Sequence, residues 1–340
     1  MENNLVNLTE YRLRPLTLQD AEETVTLFNH CSTALLGMDD TNLEEMRNAW
    51  ATPGFDFETC ARVLVSPDEK IVGYAEVWDI ADPHVNKYCW FELDPDHWND
   101  KLASRMLDWA EETAQNRIRL APEDTRIVLS QGVYHINEKH APVLLQTGFH
   151  LQRQFLRMVI EMETEPKKPV YPEGFEIRKI AYDKEFRDAI MATSEAFEDH
   201  WGFTKKSEED ELAFWKHRLE NDPEFDPSLW YLATDGDQIA GICLCFPKLI
   251  EDPEMGWVSE LAVRRPLRCK GLVLALLQHA FYEFYRRGQH KVGLNIDADS
   301  LTKATELYIK AGMRIDRQSD AYHKELHAGR DLSTQTLSSS

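Results

Sequence analysis

The stretch 264-RRPLRCKGLVLALL-277 places a basic loop directly ahead of a run whose apolar residues recur at helical spacing. The loop therefore lies at the N-terminus of a predicted helix, where unpaired backbone N–H groups and the helix dipole favour an anion. Gly271 lets the backbone approach such an anion closely, and Arg268 and Lys270 add positive charge. The pattern predicts a site for a phosphate or pyrophosphate group; the alternative is that the loop only offsets acidic surface nearby.

The rest of the chain is acidic, with 38 basic and 59 acidic residues among 340 and a formal net charge of −21. This charge argues against nucleic acid or an anionic membrane as a partner and favours a small cationic molecule. Because the chain has no apolar run of membrane-spanning length and does not begin like a signal peptide, we expect a cytoplasmic protein.

The six cysteines are scattered without the spacing of a zinc site or of a disulfide framework. We therefore expect no metal and no disulfide. Cys243 and Cys245 lie two residues apart in a strand-like segment, and we expect both to lie in the core.

The sequence repeats itself. The segment 70-KIVGYAEVWDI-80 matches 238-QIAGICLCFPK-248, with Gly73 and Gly241 at the same place, and segments before and after them match as well. Each copy reads as strand, helices, antiparallel strands, a central strand, helix, strand, helix and strand, which predicts an α+β fold with a mixed, mostly antiparallel sheet flanked by helices.

Three prolines, at positions 166, 169 and 172, mark a linker between the copies. We expect one domain over residues 1–168 and a second over residues 169–328. The polar segment 329–340 has too little apolar content to pack, and we expect it to be disordered.

Two motifs of the second copy resemble those of the GCN5-related N-acetyltransferase (GNAT) family. Residues 268-RCKGLV-273 are similar to the family's acetyl-CoA loop, [QR]xxGx[GA], and 294-LNIDADSLTKATELYIKAGM-313 is similar to its second signature. Val273 departs from the glycine or alanine of the first motif. The tandem arrangement resembles the mycothiol synthase group and its relatives, and the resemblance covers nearly the whole chain.

This resemblance implies an acetyl-CoA-dependent N-acetyltransferase that modifies a primary amine of a small, cationic acceptor. Glu260 matches the family's general base, Tyr308 matches the acid that protonates the departing thiolate, and a backbone N–H near Leu261 meets the oxyanion. His200 and Trp201 fall where the family shapes its acceptor pocket. The implied acetyl-CoA contacts are Leu261, Ala262, Val263, Arg268, Cys269, Lys270, Gly271, Leu272, Val273 and Asp299. Each of these side chains has an alternative role in surface solvation or core packing.

The first copy lacks these groups. Trp98 stands where the arginine of the loop is expected, Lys101 where the glycine is expected and Leu144 where the tyrosine is expected. We expect a degenerate scaffold without turnover, with residual acetyl-CoA binding as the alternative. For the whole chain, the alternatives to an enzyme are a non-catalytic acyl-CoA binding or sensing protein and an interaction module; it would be a monomer or a homodimer.

Overall fold

The computed structural model describes residues 8–222, 224–299 and 304–334. The chain divides into two compact units. The N-terminal unit comprises the residues up to 152 together with 320–332, and the C-terminal unit comprises 153–319 together with the residues from 333.

The N-terminal unit contains a mixed sheet flanked by helices. Its sheet order is β1-β2-β3-β4-β5-β12, with β4 and β5 parallel and the other pairs whose register is described antiparallel. Its elements are β1 (Arg12–Pro15), α1 (Ala21–Leu36), α2 (Leu43–Trp50), α3 (Phe57–Cys60), β2 (Ala61–Val65), β3 (Ile71–Trp78), β4 (Asn86–Leu93), α4 (Asp100–Asn116), β5 (Ile127–Tyr134), α5 (His140–Gln146) and the second half of β12 (Arg314–His327).

The C-terminal unit has the same plan. Its sheet order is β7-β8-β9-β10-β11-β6, and only β10 and β11 run parallel among these strands. Its elements are most of β6 (His150–Glu161), β7 (Glu176–Lys179), α6 (Tyr182–Phe197), α7 (Glu208–Glu220), β8 (Trp230–Asp235), β9 (Gln238–Phe246), β10 (Met255–Val263), α8 (Leu272–Arg286), β11 (Lys291–Asp297), α9 (Ala304–Lys310) and the first half of β12. The predicted α+β class with mixed, mostly antiparallel sheets is confirmed.

The last strand of each copy belongs to the unit of the other copy. From Arg153 onward β6 lies in the C-terminal unit, where it pairs with β11 from Phe155↔Asp297 to Glu161↔Lys291. From Asp320 onward β12 lies in the N-terminal unit beside β5. The compact units are therefore not the segments on either side of residue 168, and the expected domain bounds stay a prediction about the two sequence copies.

The apolar run after the basic loop forms α8, as its helical spacing predicts. The helix packs on β10 at short range, because Gly256 has no side chain: a Cβ there would lie 2.5 Å from the ring of Phe284. Cys243 and Cys245 of β9 are fully buried in the same core, which confirms their predicted role.

The structure describes the predicted linker and part of the predicted tail. Residues 162–175, which include the linker, contain neither helix nor strand. Residues 329–334 do not fit the expected disorder, since the Arg330 N–H donates to Asp124 O and the Thr334 N–H donates to Phe203 O. The rest of that expected tail, 335–340, lies outside the described residues. Among the described helices, none combines the length and the apolar character that crossing a membrane requires.

Candidate active site

The C-terminal unit contains a cavity of 670 Å³ that opens between β10 and β11. The two parallel strands pair only at Met255, Gly256 and Trp257 of β10, and beyond Trp257 they separate. The edge of β10 toward β11 therefore lacks a strand partner, and its backbone groups face the opening. Predicted site residues that line the cavity are His200, Trp201, Glu260, Leu261, Ala262, Val263, Arg268, Cys269, Gly271, Leu272, Val273 and Tyr308.

The loop before α8 has the backbone of an anion site. Cys269 and Gly271 both have left-handed φ angles, +63° and +79°, which turn successive N–H groups toward one side. Gly271 is the N-cap residue of α8 and supplies no side-chain cap, so the first N–H groups of the helix have no partner from that residue. Leu272 and Val273 follow at the first two helical positions. Backbone groups of 269–273 can therefore hold a phosphate.

The side chain of Arg268 is held in place by hydrogen bonds. Its guanidinium donates to Asp199 at 2.6 Å, to Val263 O at 3.0 Å and to Ala196 O at 2.8 Å. Asp199 is buried and also pairs with Arg265. Arg268 thus ties the loop to the end of α6, where it shares the single carboxylate of Asp199 with Arg265.

Two predicted contacts do not line the cavity. The Lys270 ammonium lies over the ring of Phe175, 5.3 Å from its centre. Asp299 is exposed, and its carboxylate lies 3.6 Å from Arg153. The roles of both in cofactor binding stay predictions.

Glu260 lies next to an irregularity in β10. The register with β9 shifts between Val258 and Glu260, so Ser259 is an extra residue in the strand. Burial raises the pKa of Glu260 to about 7, while the charge of Arg218 opposes the shift. A carboxyl with this pKa exchanges protons near neutral pH, which suits a general base.

Tyr308 lies on α9 and lines the same cavity as Glu260. It is buried, and burial raises its pKa to about 12, with a smaller contribution from Cys243. Its hydroxyl therefore keeps its proton at neutral pH and is available as a donor.

His200 and Trp201 follow α6 at the mouth of the cavity. Burial, and then the charge of Arg268, lowers the pKa of His200 to about 4, so its ring is neutral at pH 7. The Arg153 guanidinium lies 4.4 Å from the centre of the Trp201 ring. Both side chains shape the cavity without adding net charge.

The sequence interpretation missed other lining residues. Asn295 and Asp297 lie on β11, and Phe155 lies on β6. Asn295 and Asp297 were within the quoted second signature, so alternation along a strand could have indicated them. No local signal pointed to Phe155, because it precedes the linker and reaches this cavity only through the exchange of β6.

The N-terminal unit differs at the corresponding positions. Gly73 of β3 corresponds to Gly241 of β9. Counting the paired residues from these two glycines places Trp90 of β4 at the position of Glu260 of β10. The pairing of β3 with β4 shows no register shift. Here β4 therefore offers neither the bulge nor the carboxyl of β10.

The helix after β4 also begins differently. A Cβ at Gly73 would contact Met106 of α4, and a Cβ at Gly241 would contact Leu276 of α8, so Met106 corresponds to Leu276. Counting back along both helices places Lys101 at the position of Gly271. Lys101 is already helical, and its N–H donates to the Asn99 side chain at 3.0 Å. At this position the N-terminal unit therefore has the capped first turn of α4, whereas the C-terminal unit has the open loop before α8.

Comparisons with known proteins agree with this architecture. The model of the acetyltransferase (GNAT) family matches residues 26–134 and 190–313, one segment in each copy. A search of curated proteins gives no match. A GCN5-related N-acetyltransferase from Sphaerobacter thermophilus is 29% identical, with a TM-score of 0.77, over 96% of this chain and 99% of its own.

Two more distant structures share the fold. A tandem GNAT protein from the clavulanic acid biosynthesis pathway is 13% identical, with a TM-score of 0.67, over 94% of this chain and 99% of its own. Saccharomyces cerevisiae N-myristoyltransferase with bound myristoyl-CoA is 10% identical, with a TM-score of 0.60, over 97% of this chain and 83% of its own. The resemblance to the mycothiol synthase group stays a prediction. Since the family model matches more than half of the chain, the protein belongs to the acetyltransferase (GNAT) family of acyl-CoA-dependent N-acyltransferases and carries two GNAT domains.

Proposed function

We propose that the C-terminal unit transfers an acetyl group from acetyl-CoA to the primary amine of a small cationic acceptor, and that the N-terminal unit does not. The observation that carries the proposal is that one cavity brings together an uncapped helix start, a carboxyl with a pKa near neutrality and a protonated tyrosine.

The residues present fit acetyl-CoA. The left-handed backbone at Cys269 and Gly271 leaves room for a pyrophosphate on the N–H groups of 269–273, and acetyl-CoA supplies the acetyl group as a reactive thioester. We expect Arg268 to hold the loop and to keep positive charge beside the phosphates, because three of its five N–H groups donate to Asp199, Val263 O and Ala196 O while its side chain lines the cavity.

Three groups of the chain share the chemistry. Glu260 takes a proton from the amine as the new C–N bond forms, and the backbone N–H of Leu261 stabilises charge on the carbonyl oxygen. As the C–S bond breaks, Tyr308 gives its proton to the sulfur. Glu260 then releases its proton to solvent, and Tyr308 regains one from solvent, which its high pKa favours.

The charge of the cavity supports a cationic acceptor. Asp199 is paired with two arginines, so Glu260 and Asp297 are the carboxyl groups left to meet the acceptor. The net charge of −21 would also attract a cation over longer distances.

A second candidate, acyl-CoA binding without turnover, is favoured by one observation. Val273 lines the cavity with a branched side chain where related loops have glycine or alanine. Acetyl-CoA with a panel of amines separates the two functions when free thiol is followed: release with any amine supports the enzyme, and binding without release supports the sensor.

Changing Gly271 to Val should abolish acetyl-CoA binding, since a β-branched residue disfavours a φ of +79° and its side chain crowds the phosphate. Gly288→Val is the matched control, because Gly288 has a φ of +84° outside the cavity. Lys101→Val should also leave binding intact. Calorimetry measures all three, and equal losses for Gly271→Val and Lys101→Val would contradict the assignment.

Tyr308→Phe should lower turnover by about a hundredfold and leave acetyl-CoA affinity intact, because it removes a proton donor and keeps the ring. Tyr231→Phe is its control: Tyr231 is a buried tyrosine of the same unit outside the cavity, and its hydroxyl has no hydrogen-bond partner among the described residues. Steady-state rates decide it; unchanged turnover in Tyr308→Phe would show that the hydroxyl only fills space.

The Glu260→Gln variant should change the pH dependence of kcat/KM. A general base acts when ionised, so the contribution of Glu260 is small below its pKa of about 7 and grows above it. The ratio of wild-type to variant kcat/KM should therefore rise from pH 6 to pH 8, reaching about a hundredfold.

Asp237→Asn, which removes one negative charge from the exposed turn between β8 and β9, should leave the profile unchanged. A ratio for Glu260→Gln that is constant with pH would contradict its role as the base.

A further inference from the structure

The N-terminal unit has a cavity of its own, of 320 Å³. It forms where β4 and β5 separate after pairing only at Asn86, Lys87 and Tyr88, as β10 and β11 do in the other unit. Helix α1, the end of β5 and the loop before α5 close its sides. Because Asn99 caps the start of α4, the N-terminal unit does not repeat the anion site proposed before α8.

Aromatic side chains form part of the cavity wall. Phe28 comes from α1, Trp90 from β4 and Tyr134 from the end of β5. Trp98 stacks on the buried His140, with 5.1 Å between the ring centres. Aromatic faces of this kind attract cations as well as apolar groups.

Carboxyl groups outnumber cations around the same space. Glu92, Asp40 and Glu138 line it, and its one lining ammonium among the described residues, that of Lys139, lies 5.5 Å from the centre of the Trp98 ring. The Lys139 ammonium also donates to Pro95 O at 3.3 Å. Glu92 lies two residues beyond Trp90 on the same face of β4. Since Trp90 is the residue that corresponds to Glu260, the carboxyl of Glu92 does not occupy the position of the proposed base.

Glu92 carries a proton in the free protein at neutral pH. Burial, and then the charge of Asp40, raises its pKa to about 8, and a hydrogen bond with Cys31 opposes the shift. Burial lowers the pKa of His140 to about 3, so no imidazolium balances it. Cys31 and Asp40 act directly on the carboxyl of Glu92. The other titratable or charged groups around this space are Tyr134, Glu138, Lys139 and His140, which line the cavity, and Asp94, which acts on Cys31.

We propose that this cavity is a second ligand site, which binds a small organic cation through a primary ammonium group held by Glu92 and Asp40 between aromatic walls. A primary ammonium offers three N–H donors to these carboxyl oxygens, whereas a quaternary ammonium offers none. Bound ammonium stabilises ionised Glu92, so binding releases a proton near pH 7. The site lies in the unit without the proposed chemistry and does not depend on the proposed function.

Titration calorimetry of the full chain with n-butylamine at pH 7, in two buffers of different ionisation enthalpy, tests the proposal. We expect saturable binding with a Kd of about millimolar and a buffer-dependent heat that reports proton release. Equimolar n-butanol and tetramethylammonium should bind at least tenfold more weakly. Absence of saturable binding, or equal binding of n-butanol, would overturn the proposal.

Variants of each cavity show which of the two gives rise to the heat of amine binding. Glu92→Gln should weaken binding at least tenfold and abolish proton release. Ala34→Phe, at an exposed position of α1 that lines the cavity, should block entry without disturbing the core. Glu260→Gln removes any heat from amine bound beside Glu260, and it should retain the heat that Glu92→Gln removes. If Glu260→Gln removes the heat and both N-terminal variants keep it, the amine binds only in the C-terminal cavity and the proposed second site is wrong.

Discussion

The parallel pairing of β10 with β11 stops at Trp257 and Gly293, and the C-terminal cavity depends on this separation. Beyond it, β10 remains held by β9 and β11 remains held by β6, so the two strands diverge without losing their other partners. Backbone groups that would otherwise be paired then face a ligand space. The separation also puts Glu260 of β10 within the same cavity as Tyr308 of α9.

The two units share this separation and differ in what surrounds it. In the C-terminal unit a bulge at Ser259 and an open loop at Gly271 leave backbone groups available. In the N-terminal unit β4 is regular, and the side chain of Asn99 accepts a hydrogen bond from the first turn of α4, which is longer than α8. A duplicated fold thus retains a cavity in each unit, and local changes at the strand and at the helix start decide which ligand chemistry each cavity can accept.

Local sequence was sufficient to predict the groups that lie within one strand or one helix turn. Gly271, Glu260 and Tyr308 all belong to short patterns, and all three line one cavity. Contacts between distant residues could not be predicted. The pattern of its loop predicts Arg268 as a phosphate ligand, but gives no indication of its pairing with Asp199, which lies 69 residues earlier. The exchange of β6 and β12 leaves no local pattern, because the alternation along a strand is the same whichever sheet the strand joins.

The central claim is that one of the two copies has kept an acetyl-CoA site, and the number of bound molecules tests it most directly. A native mass spectrum of the full chain with excess acetyl-CoA counts them. The open loop before α8 and the capped start of α4 predict one equivalent per chain. Two equivalents would show that the capped start of α4 still admits a pyrophosphate, and none would show that Val273 closes the loop before α8; either result would contradict the account.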